Sequence, residues 1–122
     1  MSTQKPSGRL VAWLVSYAQE KKGTTFEIRT GRSLVSSDDL GSDRLLLVTG
    51  KGVSSPHAAL SANTKHRILL QDIFTEHGTY ITRSDSTEER KVSSPTELHH
   101  GDWIRVGEKI RFQVCMIDGT SR

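Results

Sequence analysis

Residues 110–116 alternate without interruption: Ile110, Phe112, Val114 and Met116 hold one parity, Arg111, Gln113 and Cys115 the other. A period of two puts alternate side chains on opposite faces of an extended chain, so this stretch reads as a strand with one face in a core. Residues 103–106 (WIRV) precede it across Gly107-Glu108-Lys109, a short loop that starts with glycine, and the two read as a hairpin. A lone hairpin is marginal in water, so the rest of the chain must supply more strands.

It does. In residues 10–17 (LVAWLVSY), Leu10, Leu14 and Tyr17 fit a helix face, whereas Val11, Trp13, Val15 and Tyr17 alternate. The strand reading wins, because residues 20–23 (EKKG) make a polar turn and residues 24–29 (TTFEIR) alternate again. Gly31 breaks that second strand and residues 32–35 start a third, with a surface loop over 36–43. Residues 45–48 are wholly apolar, the pattern of a strand buried on both faces. Further strands are expected at 58–62, 68–72 and 78–81, and a mobile loop over the charge-rich 83–94. Roughly nine to eleven short strands, regular turn signals and no convincing helix specify an all-β sandwich. The missing helix also excludes the phosphate loops of the nucleotide-binding α/β folds, which need one.

The 122 residues suffice for one core, with a tail over residues 1–9, a domain over 10–117 and a tail or linker over 118–122. A net charge of +3, spread along the chain, and 6% aromatic residues disfavour nucleic-acid binding. Cys115, the single cysteine, excludes an internal disulfide and a cysteine-built zinc site. The start lacks the apolar core of a secretory signal, and the longest apolar run is too short to cross a bilayer, so a cytoplasmic location without membrane insertion is expected.

Three turn-like stretches carry polar chemistry: Gly31-Arg32-Ser33, Ser54-Ser55-Pro56-His57 and His77-Gly78-Thr79. A β-sandwich gathers turns at its ends, so the three are expected on one surface, which would offer a guanidinium, hydroxyls and loop amides to a phosphate. With residues 72–80 (DIFTEHGTY) and 98–107 (LHHGDWIRVG), these motifs resemble in order and spacing the forkhead-associated (FHA) domain, with its GR turn, SxxH loop, DxxSxNGT turn and closing LxxGDxIxxG.

The resemblance implies an eleven-stranded antiparallel-type sandwich that binds phosphothreonine peptides, is not an enzyme and needs no cofactor or metal. It assigns Arg32 and Ser54 to the phosphate and Ser55 to phosphate or peptide backbone. Thr75, Glu76 and His77 fall on the rim, and Gly31, His57, Gly78 and Thr79 on positions that support the site. Lys51 and the 36–43 loop are weaker candidates for reading residues after the phosphothreonine. His77 stands where the family has asparagine, and Glu76 where a hydroxyl or small residue is common.

The implied partner is a threonine-phosphorylated protein of a Ser/Thr kinase pathway, or Thr3 on the chain's own or a sister chain's amino-terminal tail. The alternative is an interaction or dimerisation module of the same fold that needs no phosphate. Ser54, His57 and Asp72 can be drawn as a hydrolase triad, but a serine three residues before its histidine on one loop lacks that geometry, and there is no GxSxG elbow. His99-His100 lacks partners at metal-ligand spacing.

Overall fold

The computed structural model describes residues 8–41 and 44–118. They form eleven strands and, among the described residues, no helix. The strands are β1 (Leu10–Ser16), β2 (Thr24–Arg29), β3 (Gly31–Ser36), β4 (Leu45–Leu47), β5 (Ala58–Ala62), β6 (Ile68–Asp72), β7 (Thr79–Thr82), β8 (Glu89–Lys91), β9 (Thr96–Glu97), β10 (Trp103–Val106) and β11 (Ile110–Met116). One sheet has the order β2-β1-β11-β10-β7-β8 and the other β4-β3-β5-β6-β9. All pairs are antiparallel except β3 with β4. The expected sandwich of short strands is the fold observed.

The alternation of β11 sends Ile110, Phe112 and Val114 into the core, where Phe112 meets Phe26 edge to face at 5.8 Å. From the other sheet come Val35, Leu46, Leu60, Ile68 and Leu70, all nearly inaccessible. In β1 the core positions are Ala12, Leu14 and Ser16, while Trp13 faces out. Val11 shares Trp13's parity yet is fully buried, because a register shift between Leu10 and Ala12 turns it inward.

Two expectations need correction. The apolar run at 45–48 is not covered on both faces: β4 is an edge strand, its Leu46 is in the core and its Leu47 stands 46% exposed. The 83–94 stretch contains β8, which pairs with β7; its three residues are all exposed, so no buried face leaves a mark in the sequence. Arg9, just before β1, exchanges main-chain and hydroxyl hydrogen bonds with Thr30. Of the expected tails, residues 1–7 and 119–122 lie outside the described residues.

The register fixes the two ends of the sandwich. Val106 pairs with both Ile110 and Thr79, so the β10–β11 turn and the β6–β7 turn share one end. The β1–β2 turn joins them there, because Gln19 exchanges hydrogen bonds with Thr49 of the β4–β5 loop across the two sheets. Truncation tests the core: Phe112→Ala is expected to cost about 3–5 kcal/mol, and Leu69→Ala, at an exposed position, less than about 0.5 kcal/mol. Urea denaturation of dilute protein measures both.

Candidate functional site

At the end just defined, a turn over Ser54, Ser55, Pro56 and His57 is held from below by the His57 ring. His57 is fully buried, and its Nδ1 accepts the Ser54 main-chain N–H at 3.0 Å. Its Nε2 lies 2.8 Å from the Gly78 carbonyl oxygen, which can only accept, so the proton sits on Nε2. One imidazole thereby ties the β4–β5 loop to the turn that enters β7, joining the two sheets. Main-chain bonds fix the flanks: His57 N–H donates to the Val35 carbonyl, Ile73 N–H to that of His57, and Ser37 N–H to that of Ser54.

The β6–β7 turn is organised on the Asp72 carboxylate. Oδ1 accepts the hydroxyls of Thr75 and Thr79, each at 2.7 Å, while Oδ2 accepts the Thr75 N–H at 3.1 Å. The Thr75 oxygen in turn accepts the Gly78 N–H. Partial burial alone would raise the Asp72 pKa, but the bonds from Thr79 and Thr75 outweigh it and hold the carboxyl below its ordinary 3.8. Thr75, expected at the ligand rim, gives its hydroxyl proton to Asp72 and so helps build the turn. Phe74, beside it, is fully exposed at φ +48°, a conformation that bulky residues seldom adopt.

Two glycines let the neighbouring loops close over this turn. Gly52 (φ +85°) lies against the His77 ring and Gly107, and a Cβ on Gly107 would stand 2.7 Å from the Lys51 carbonyl oxygen. Glu108 N–H donates to that same oxygen. His77 therefore packs on the β4–β5 loop, with Glu76, almost fully exposed, 4.0 Å from it.

The hydroxyls differ in availability. Ser55 Oγ lies 3.0 Å from the oxygen of buried Ser36, whose own proton goes to the Asp38 carbonyl. Ser54 Oγ has no hydrogen-bond partner among the described residues. Lys51 is open to solvent, 3.6 Å from Glu108.

Arg32 is elsewhere, and with it Gly31. Gly31 opens β3 rather than ending β2, and Arg32 pairs with Ser61 near the far end of β5. The residue that reaches Ser54 is Ser37, just past the end of β3, five positions on from Arg32, or about 16 Å along an extended chain. The structure thus unites Ser54, Ser55, His57, Thr75, Glu76, His77, Gly78 and Thr79, and separates Gly31 and Arg32 from them. The sequence reading placed the turn at the first glycine after β2, whereas a tight link at Thr30 carries the chain directly into β3.

The arrangement offers little to a hydrolase. Both His57 nitrogens are engaged by main chain, and Asp72 is bonded to threonines, not to the imidazole. Among the described residues no three His, Cys, Asp or Glu side chains are grouped as metal ligands. His100 accepts the Met116 N–H, while His99 lies beside Arg83.

A family model for the FHA domain matches residues 28–107, about two-thirds of the chain. The chain belongs to the FHA domain family. Its fold is similar to that of an FHA domain of a hypothetical protein from Arabidopsis thaliana, with a TM-score of 0.71, 19% identity and 99% of each chain covered. The FHA domain of the CT664 protein from Chlamydia trachomatis gives 0.73 at 19% identity, covering 88% of this chain and 98% of that one. The yeast Dun1 FHA domain, solved with a doubly phosphorylated peptide derived from Rad53 SCD1, gives 0.68 at 19% identity, over 100% of this chain and 86% of its own. Comparison with curated protein sequences finds no match.

Asp72 gives this FHA domain a testable pH dependence. A carboxylate with a depressed folded-state pKa stabilises fully above its ordinary value and loses that contribution as pH falls through the folded one. Asp72→Asn replaces one acceptor by a donor facing the Thr75 N–H, and is expected to cost about 1–2 kcal/mol at neutral pH. The gap between the two proteins should narrow as pH drops below 3.8. Thermal melts from pH 7 to pH 3 read it.

Proposed function

We propose that this FHA domain is a recognition module for threonine-phosphorylated peptides, with its ligand face at the loop end built on His57 and Asp72. The observation that carries the reading is the Ser54 turn: a rigidly braced backbone presents a hydroxyl with no partner among the described residues, inside a family fold. Ser54 donates to the phosphate, Ser55 adds a second hydroxyl, and Lys51 supplies the cation. A lysine is a point charge rather than a fork, so the phosphate is held less tightly than a guanidinium would hold it. Glu76 and His77 border the peptide. The module acts by binding, not catalysis, as an adaptor in a Ser/Thr kinase pathway of the cytoplasm. Its ligand is a phosphorylated partner or Thr3 in the amino-terminal segment of its own or a sister chain.

The charges around Ser54 refine this reading. Among the described residues, the loops gathered at this end carry Glu20, Asp38, Asp39, Glu76 and Glu108 against Lys21, Lys22, Lys51 and Lys109, and the Lys91 side chain lies against Gly78. Asp38 and Asp39 beside Ser55, with Glu76 on the next turn, favour ligands with basic residues near the phosphothreonine. They also favour a second reading, in which a basic partner segment is bound without any phosphate.

Fluorescence anisotropy against phosphothreonine, phosphoserine and unphosphorylated versions of a degenerate peptide library separates these readings. The expected result is selective binding of phosphothreonine, weakened about fivefold or more by Ser54→Ala and unchanged by Arg32→Ala. Equal binding of unphosphorylated peptides selects the second reading. Loss of binding in Arg32→Ala would overturn the placement of the site.

A further inference from the structure

The outward faces of the two sheets differ in character. That of the six-stranded sheet is charged and polar: Arg105 is paired with Glu89 and lies 4.2 Å over the Tyr80 ring, Arg111 lies 4.8 Å over Trp103, and Glu27 and Lys91 flank them. That of the five-stranded sheet mixes leucines with polar residues. Leu45 pairs with Leu34, Leu34 with Ala59 and Ala59 with Gln71, and these share the outward parity with Leu47 and Leu69. Leu47 is 46% exposed and Leu69 45%. A solvent-facing sheet surface ordinarily alternates to polar residues there.

The strand residues of this face carry two charges, one at each side. The row Arg32–Ser61–Leu69–Glu97 crosses β3, β5, β6 and β9. Its ends are three strand spacings apart, about 14 Å. Neither the Arg32 nor the Glu97 side chain has a hydrogen bond or ion pair with any described residue. Arg32 is thus a conspicuous cation that the loop site does not use.

The geometry points to a second copy of this chain as the occupant of that face. A two-fold axis running along the strands between β5 and β6 exchanges β3 with β9. It brings Arg32 of each copy over Glu97 of the other, and lays Leu69 of each over the small Ser61 opposite. An isologous contact must be self-complementary, and opposite charges at equal distances from the axis satisfy that. The contact pairs the sheets face to face and leaves both loop ends open, so the inference is independent of what those loops bind. Two copies side by side would present two ligand faces to a doubly modified or dimeric partner.

Sedimentation velocity over a concentration series tests this with the full chain. The wild type is expected to show a concentration-dependent dimer. Arg32→Glu alone and Glu97→Arg alone each turn two attractions into repulsions and should weaken it about tenfold or more. An equimolar mixture of the two single variants should dimerise again, because each Arg32→Glu copy meets a Glu97→Arg copy with both contacts restored. Circular dichroism checks that the variants, altered at partnerless side chains, remain folded. A wild type that stays monomeric at its highest attainable concentration overturns the inference. So does a dimer that neither reversal weakens, or a mixture that stays monomeric.

Discussion

The His57 ring is the joint on which the ligand face depends. A loop on the five-stranded sheet and a turn entering the six-stranded sheet would otherwise be free to move apart. A buried imidazole that accepts from Ser54 N–H at one nitrogen and donates to the Gly78 carbonyl at the other removes that freedom. The bond also satisfies two backbone groups that the loop conformation leaves without ladder partners. Asp72 does the corresponding work for the next turn, gathering two threonine hydroxyls and an amide on one carboxylate. Together they turn sequence-distant polar residues into one rigid surface, and rigidity is what makes a single exposed hydroxyl such as that of Ser54 useful to a ligand.

The fold was legible wherever a strand buried one face and exposed the other. Residues 110–116 announce β11 because each outward side chain is polar and each inward one apolar. β8 is silent for the opposite reason: an exposed edge strand of Glu, Arg and Lys has no face to bury, and its pairing with β7 is set by the main chain alone. β4 misleads because its outward residues are leucines, so the alternation that separates an edge strand from a buried one is missing.

The site was legible in part. Ser54 and His57 sit three residues apart on one loop, so local geometry alone puts the amide of one within reach of the ring of the other. Gly78 and Thr79 follow from the turn that feeds β7. Arg32 was misplaced because a glycine-arginine pair says nothing about which end of its strand it occupies. That depends on where the chain crosses between sheets, and the crossing is made at Thr30 by bonds to Arg9. What the motif cannot supply, the register does: Arg32 opposite Ser61 is at the wrong end for the loops and in the right row to face Glu97. The same reading gives the exposed Leu69 of β6 a partner that a solvent-facing sheet does not provide.

The claim that most needs direct evidence is the location of the ligand face. Titrating isotopically labelled protein with a phosphothreonine peptide and following backbone amide shifts by NMR locates it residue by residue. The account predicts the largest changes at Ser37, Lys51, Ser54, Ser55, His77 and Gly78, with Gly31, Arg32 and Ser61 near their starting positions. Changes centred on Gly31, Arg32 and Ser61, with the Ser54 turn unmoved, would contradict it.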